Sequence, residues 1–125
     1  MQLIRESSTR QLEYRLLRAS GSELLQIVCE YIIIYLDEAK HALLDENIDI
    51  VERKNDKIRD LLAHLISTLE GSDEDCLRQK SLYVYINELI TDAKINDDYS
   101  NYDIAIELIK PIKEAWQALS QKEKN

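Results

Sequence analysis

From residue 48 to 69 the apolar side chains fall on Ile58, Leu61, Leu62, Leu65, Ile66 and Leu69, at steps of three and four that place them on one face of an α-helix. The same steps recur at Leu82, Tyr83, Ile86, Leu89, Ile90 and Ala93, and again at Ala105, Leu108, Ile109, Ile112, Trp116 and Leu119. An earlier stretch carries Leu24, Ile27, Val28, Tyr31, Ile32, Tyr35, Ala39 and Ala42 at helical spacing. Four helices are therefore predicted. Ser20-Gly21-Ser22-Glu23 reads as a capping box that opens the first, with Ser20 accepting from the Glu23 amide. Asp45-Glu46-Asn47 interrupts the apolar pattern and ends it. Gly71 is expected to close the second helix as a C′ residue, and Ser72 to cap the third, with Asp73, Glu74 and Asp75 complementing its dipole. Residues 96–101 form the next turn. Pro111 lies inside the fourth helix, where it deletes the hydrogen bond to the Glu107 carbonyl and predicts a kink. Four long helices with short connections favour antiparallel neighbours, so the expected fold is an all-α, antiparallel up-down four-helix bundle. Its parts are a short N-terminal leader over residues 1–19, a bundle over 20–120 and a tail over 121–125, all in one domain.

The first helix does not keep to one stripe. Leu25, Cys29, Ile33 and Leu36 add a second apolar face to the expected one, and a clearly polar sector is left only at Glu23, Gln26, Glu30, Asp37 and His41. A helix at the edge of a bundle needs an apolar arc of roughly 100° or more. The surplus must then be covered by the leader, by a second copy of the chain, or by a partner. Leu77, Val84 and Ile95 form a weaker second line on the third helix. In the leader, Leu12, Tyr14 and Leu16 are apolar anchors able to latch over the first helix. The surplus faces read either as surface covered by that leader or as a docking groove for amphipathic helices.

Composition adds exclusions. The 125 residues hold 45% hydrophobic and 32% charged residues, enough apolar matter for one folded core and too much for a disordered chain. Two Gly and one Pro are too few turn residues for a β-protein of this length. A formal charge of −8 repels a phosphate backbone, and no basic stripe offsets it, so nucleic acid is not an expected partner. Cys29 and Cys76 lack CxxC spacing and read as buried, reduced thiols. With no secretory signal and no membrane-length apolar run, the expected location is the cytoplasm.

Catalytic, cofactor and metal sites are expected to be absent. Glu38 and His41 have the Glu-x-x-His spacing of di-iron bundles, but His64 has Leu61 where the second motif needs an acid. Either histidine could serve a phosphotransfer module. However, Ala42-Leu43-Leu44 and Leu65-Ile66-Ser67 follow them in place of the basic residue that would neutralise phosphate.

Ala19-Ser20-Gly21-Ser22-Glu23-Leu24 resembles the Ala-Ser-Pro-Glu-Glu-Leu that opens the first long helix of the flagellar export chaperone FliS family. Ala39-Lys40-His41-Ala42-Leu43, Leu82-Tyr83-Val84-Tyr85-Ile86 and Glu114-Ala115-Trp116 resemble further family motifs, in order and at similar spacing, over residues 19–119. Departures fall at Cys29 and Tyr31, where the family has Tyr and Gly, at Val84 for Asp, and at Arg59 for Gln. The resemblance implies a non-enzymatic chaperone that binds the C-terminal segment of flagellin, prevents premature polymerisation and helps delivery to a component of the export gate. The candidate client contacts are Leu25, Cys29, Ile33, Leu36, Leu77, Val84 and Ile95. The alternatives are a self-associating helical adaptor, dimeric through the first helix or serving another client, and a phosphotransfer module acting through His41 or His64.

Overall fold

The computed structural model describes residues 21–69 and 71–124. They form α1 (Ser22–Leu44), α2 (Ile48–Ser67), α3 (Glu74–Asn96) and α4 (Ser100–Lys124), with no strand among the described residues. Successive helices run antiparallel as a four-helix bundle. α1 packs most extensively on α4 and then on α2, while α3 closes the ring with thinner contacts to α4 and α2. α4 runs to Lys124, through the segment read from sequence as a tail.

The helix ends follow local chemistry. Ser20 lies outside the described residues; the N-cap position of α1 is Gly21, at φ 58° and with no side-chain capping bond, a conformation that favours glycine. Ser22 does not cap either: its Oγ donates to Glu123 Oε2 at 2.6 Å, and Lys124 lies 3.5 Å from Glu23, so the two ends of the bundle's chain are fastened together. α1 stops where Glu46 turns to φ 60° and the Asn47 amide donates back to the Ala42 carbonyl. α2 ends four residues before Gly71. The hydroxyls of Ser67 and Thr68 donate to the carbonyls of His64 and Leu65, each at 2.7 Å, which satisfies the last turn with no need of a glycine cap. Asp73, not Ser72, caps α3, its carboxylate accepting from the Cys76 amide at 2.8 Å. α4 begins at Ser100, so the turn before it is shorter than expected, and the helix continues through Pro111.

The core explains the surplus on α1. This helix lies between α2 and α4 and faces α3 across the bundle, so Ile27, Val28, Cys29, Tyr31, Ile32, Tyr35, Leu36, Ala39, Ala42 and Leu43 are all buried. Tyr31 packs tilted on Tyr35 at 6.0 Å between ring centroids. Half of the second face, Cys29 and Leu36, is core, and Leu25 and Ile33 are partly buried against it, because α1 is the most enclosed helix and not an edge helix.

Polar side chains pin the half of the bundle near the α1–α2 and α3–α4 turns. Asn55 on α2 is buried; its Nδ2 donates to the Ile90 carbonyl at 3.2 Å, and its Oδ1 accepts from the Tyr102 hydroxyl at 2.8 Å. Asn101 donates to the Leu89 carbonyl and to Asp92. Arg59 donates to Asn87 at 2.8 Å and Thr91 at 2.9 Å, and Lys94 bonds Glu52. Lys54, also buried, sits 3.1 Å from Glu38 and over the Tyr35 ring.

Candidate functional site

The seven candidate contacts do not share one surface. α1 and α3 sit diagonally in the ring, so their second faces are separated by α2 and α4. Cys29 and Leu36 are fully buried, which removes them from the exposed surface of the folded chain. Burial pushes the Cys29 thiol pKa up to about 12, with the Glu30 charge adding to the rise and the Lys113 charge opposing it. Leu25 and Ile33 are partly buried against the core. The latch residues Leu12, Tyr14 and Leu16 lie outside the described residues.

Leu77, Val84 and Ile95 remain in water, at 53%, 49% and 72% exposure. Steps of seven and eleven residues return them to one line along α3, with Glu88 between the last two. Tyr85, beside Val84, is 46% exposed and was missed by sequence reasoning. Tyr85 lies in the Leu82-Tyr83-Val84-Tyr85-Ile86 motif, but α3 carries apolar residues on nearly every face, so no stripe distinguishes inside from outside. On α1, Ile34 is exposed as well.

A second apolar feature runs between the first half of α3 and the second half of α4. Gln79, Pro111, Ile112, Ala115, Trp116 and Leu119 line a groove of about 310 Å³. Trp116 lies on the apolar stripe of α4, where a core position is expected, but it is only partly buried and forms part of this lining. The stripe follows from α4's own sequence; what α3 leaves uncovered does not. Tyr83 is core as expected, its hydroxyl donating to Gln79 at 3.3 Å, and burial pushes its pKa well above the usual phenol value. A polar cavity of about 340 Å³ between α2 and α3 is lined by Glu52, Asn55, Asp56, Arg59, Thr91, Lys94 and Ile95. Its cations are engaged: Arg59 with Asp56, Asn87 and Thr91, and Lys94 with Glu52.

Residues 4–123 match the family described as flagellar protein FliS. The chain belongs to that family. Membership gives it a flagellar chaperone role in general terms, with a flagellar protein as partner. No curated protein matches the chain. The histidines are not drawn into a site: exposed His41 has its Nδ1 2.8 Å from the Asp37 carbonyl, Glu38 turns to Lys54 instead, and His64 is exposed on α2. Among the described residues no cluster of three His, Cys, Asp or Glu side chains is arranged to hold a metal, and no helix is long and apolar enough to cross a membrane.

Proposed function

We propose that the chain is a cytoplasmic export chaperone for flagellin, binding the amphipathic C-terminal helices of that protein, preventing their premature polymerisation and assisting delivery to the export gate. The observation that carries this reading is the exposed line Leu77, Val84 and Ile95 on a helix of a FliS-family bundle. Apolar surface left in water favours association by roughly 25 cal/mol for each Å² covered, and an amphipathic helix offers a complementary strip. Leu25 and Ile33 contribute from the separate α1 side, and Cys29 and Leu36 only if a client parts the core. Leu12, Tyr14 and Leu16 act in this reading as a latch over α1 that a client displaces.

Calorimetric titration with a peptide spanning flagellin's C-terminal helices tests it. Val84→Glu should keep the thermal midpoint and weaken binding at least tenfold, about 1.4 kcal/mol, because an apolar partner would have to desolvate the new charge. Undiminished binding by this variant would move the client to another surface. No binding by the unmodified chain, together with a dimer in sedimentation, would replace the chaperone by a self-associating bundle.

A further inference from the structure

We infer that the end of the bundle formed by the α1–α2 and α3–α4 turns is a docking face for a basic amphipathic helix of another protein. Three large apolar side chains meet water there: Leu44, Ile48 and Tyr99, at 51%, 44% and 47% exposure. Two cross-links place them. Lys40 on α1 donates to Asp103 on α4 at 2.9 Å, its Nζ lies 6.0 Å from the centre of the Tyr99 ring, and Leu44 stands one turn beyond Lys40 at the end of α1. On the other side Lys94 of α3 bonds Glu52 of α2, and Ile48 stands one turn beyond Glu52 at the start of α2. With neighbouring helices about 8–10 Å apart, these side chains crown three of the four corners of one end. Single exposed apolar residues are ordinary, but these come from connections far apart in the sequence and converge. Gly21 and Gly71 lie at the opposite end, where Ser22 bonds Glu123; the 23 residues of α1 separate the two ends by about 35 Å.

Charge selects the occupant. Residues 44–49 and 97–99 hold five carboxylates and no Lys or Arg. Glu46 and Asp97, at φ 60° and 54°, both sit in these turns, in a backbone conformation that glycine adopts without steric penalty. Each turn thus keeps a carboxylate where its backbone favours another residue, which fits a charge retained for interaction. An apolar centre with an acidic rim is complementary to a helix that carries aliphatic residues on one face and Lys or Arg on its flanks. A second copy of this chain, also at −8, would bring like charges together. The face does not depend on flagellin being the client, so absence of flagellin-peptide binding would overturn the proposed function and leave this inference standing.

Titration of the full chain with an amidated helical peptide of Leu and Lys, its leucines at three- and four-residue steps, tests the face by calorimetry and amide NMR shifts. The amides of residues 44–49 and 97–100 should shift first. A peptide of the same composition, scrambled so that its leucines share no face, should bind at least tenfold more weakly. Tyr99→Ser should weaken binding about fivefold and Val84→Ser leave it unchanged. Glu46→Gly with Asp97→Gly should hold or raise the thermal midpoint while weakening binding, whereas Glu88→Gln with Glu114→Gln, the same loss of charge elsewhere, should change binding little. No binding, equal binding of the scrambled peptide, shifts centred on Val84, or equal effects of the two double variants would overturn the inference. So would binding that appears only after residues 1–19 are deleted, which would give the face to the chain's own leader, or a sedimenting dimer abolished by Tyr99→Ser, which would give it to a second copy.

Discussion

The Tyr102 hydroxyl on α4 donates a 2.8 Å hydrogen bond to Asn55 on α2, and through the other end of its carboxamide Asn55 holds the Ile90 carbonyl of α3. One buried amide thus fixes three helices. A buried polar group is costly when a partner is lost, since water cannot replace it. Asn55→Ala should destabilise the domain by about 2–3 kcal/mol and Tyr102→Phe by about 1–2 kcal/mol, measured by denaturant titration. The double variant should cost less than the sum. Strict additivity would show that the two side chains act separately.

The Lys54–Glu38 pair should behave asymmetrically. Lys54 is 3% exposed, so Glu38→Ala leaves a buried cation without its carboxylate and should cost about 3–5 kcal/mol. Lys54→Met removes the charge and keeps the volume, and because the Glu38 side chain is 35% exposed its carboxylate can turn to water, so the loss should be smaller, about 1–2 kcal/mol. Similar losses for both variants would mean that the pair itself is strongly stabilising.

Cys29 predicts a response at alkaline pH. Its thiol titrates near 12 in the folded chain, against 9.0 for an ordinary thiol, so from pH 9 upward the unfolded state loses a proton that the folded state keeps. Stability is therefore undiminished below pH 9 and falls as the pH rises toward 12. Tyr83 and Tyr102, also raised by burial, act in the same direction at higher pH. Cys29→Ala should flatten the first part of the decline. At pH 8 iodoacetamide should modify Cys76 and spare Cys29 until denaturant is added; rapid labelling of both would show that the core around Cys29 opens readily.

Tyr83 and Trp116 belong to the same kind of apolar stripe in the sequence but should differ in mutational cost. Tyr83→Ala empties a fully buried site and should cost about 3–5 kcal/mol, while Trp116→Ala, at a groove, should cost about 1–2 kcal/mol. Equal losses would return Trp116 to the core.

The helices were legible because periodicity is a local property. Ile58, Leu62 and Leu65 lie one turn apart whatever surrounds them, and Asp45-Glu46-Asn47 ends α1 through its own backbone. Caps shifted by a residue or more where hydroxyls and carboxylates competed for the same amides and carbonyls, as Ser67, Thr68 and Asp73 do. The sequence alone also established the acidic balance and the ordered motifs that link the chain to its family. Which apolar residues meet water was decided by the tertiary structure. Leu36 and Val84 are both surplus to their helices' main stripes, yet α1 is enclosed by two neighbours and buries Leu36, whereas α3 has thin contacts and leaves Val84 exposed. A helix's own pattern records how many apolar faces it has, but the number that find a partner depends on its place in the bundle, and that depends on every other helix.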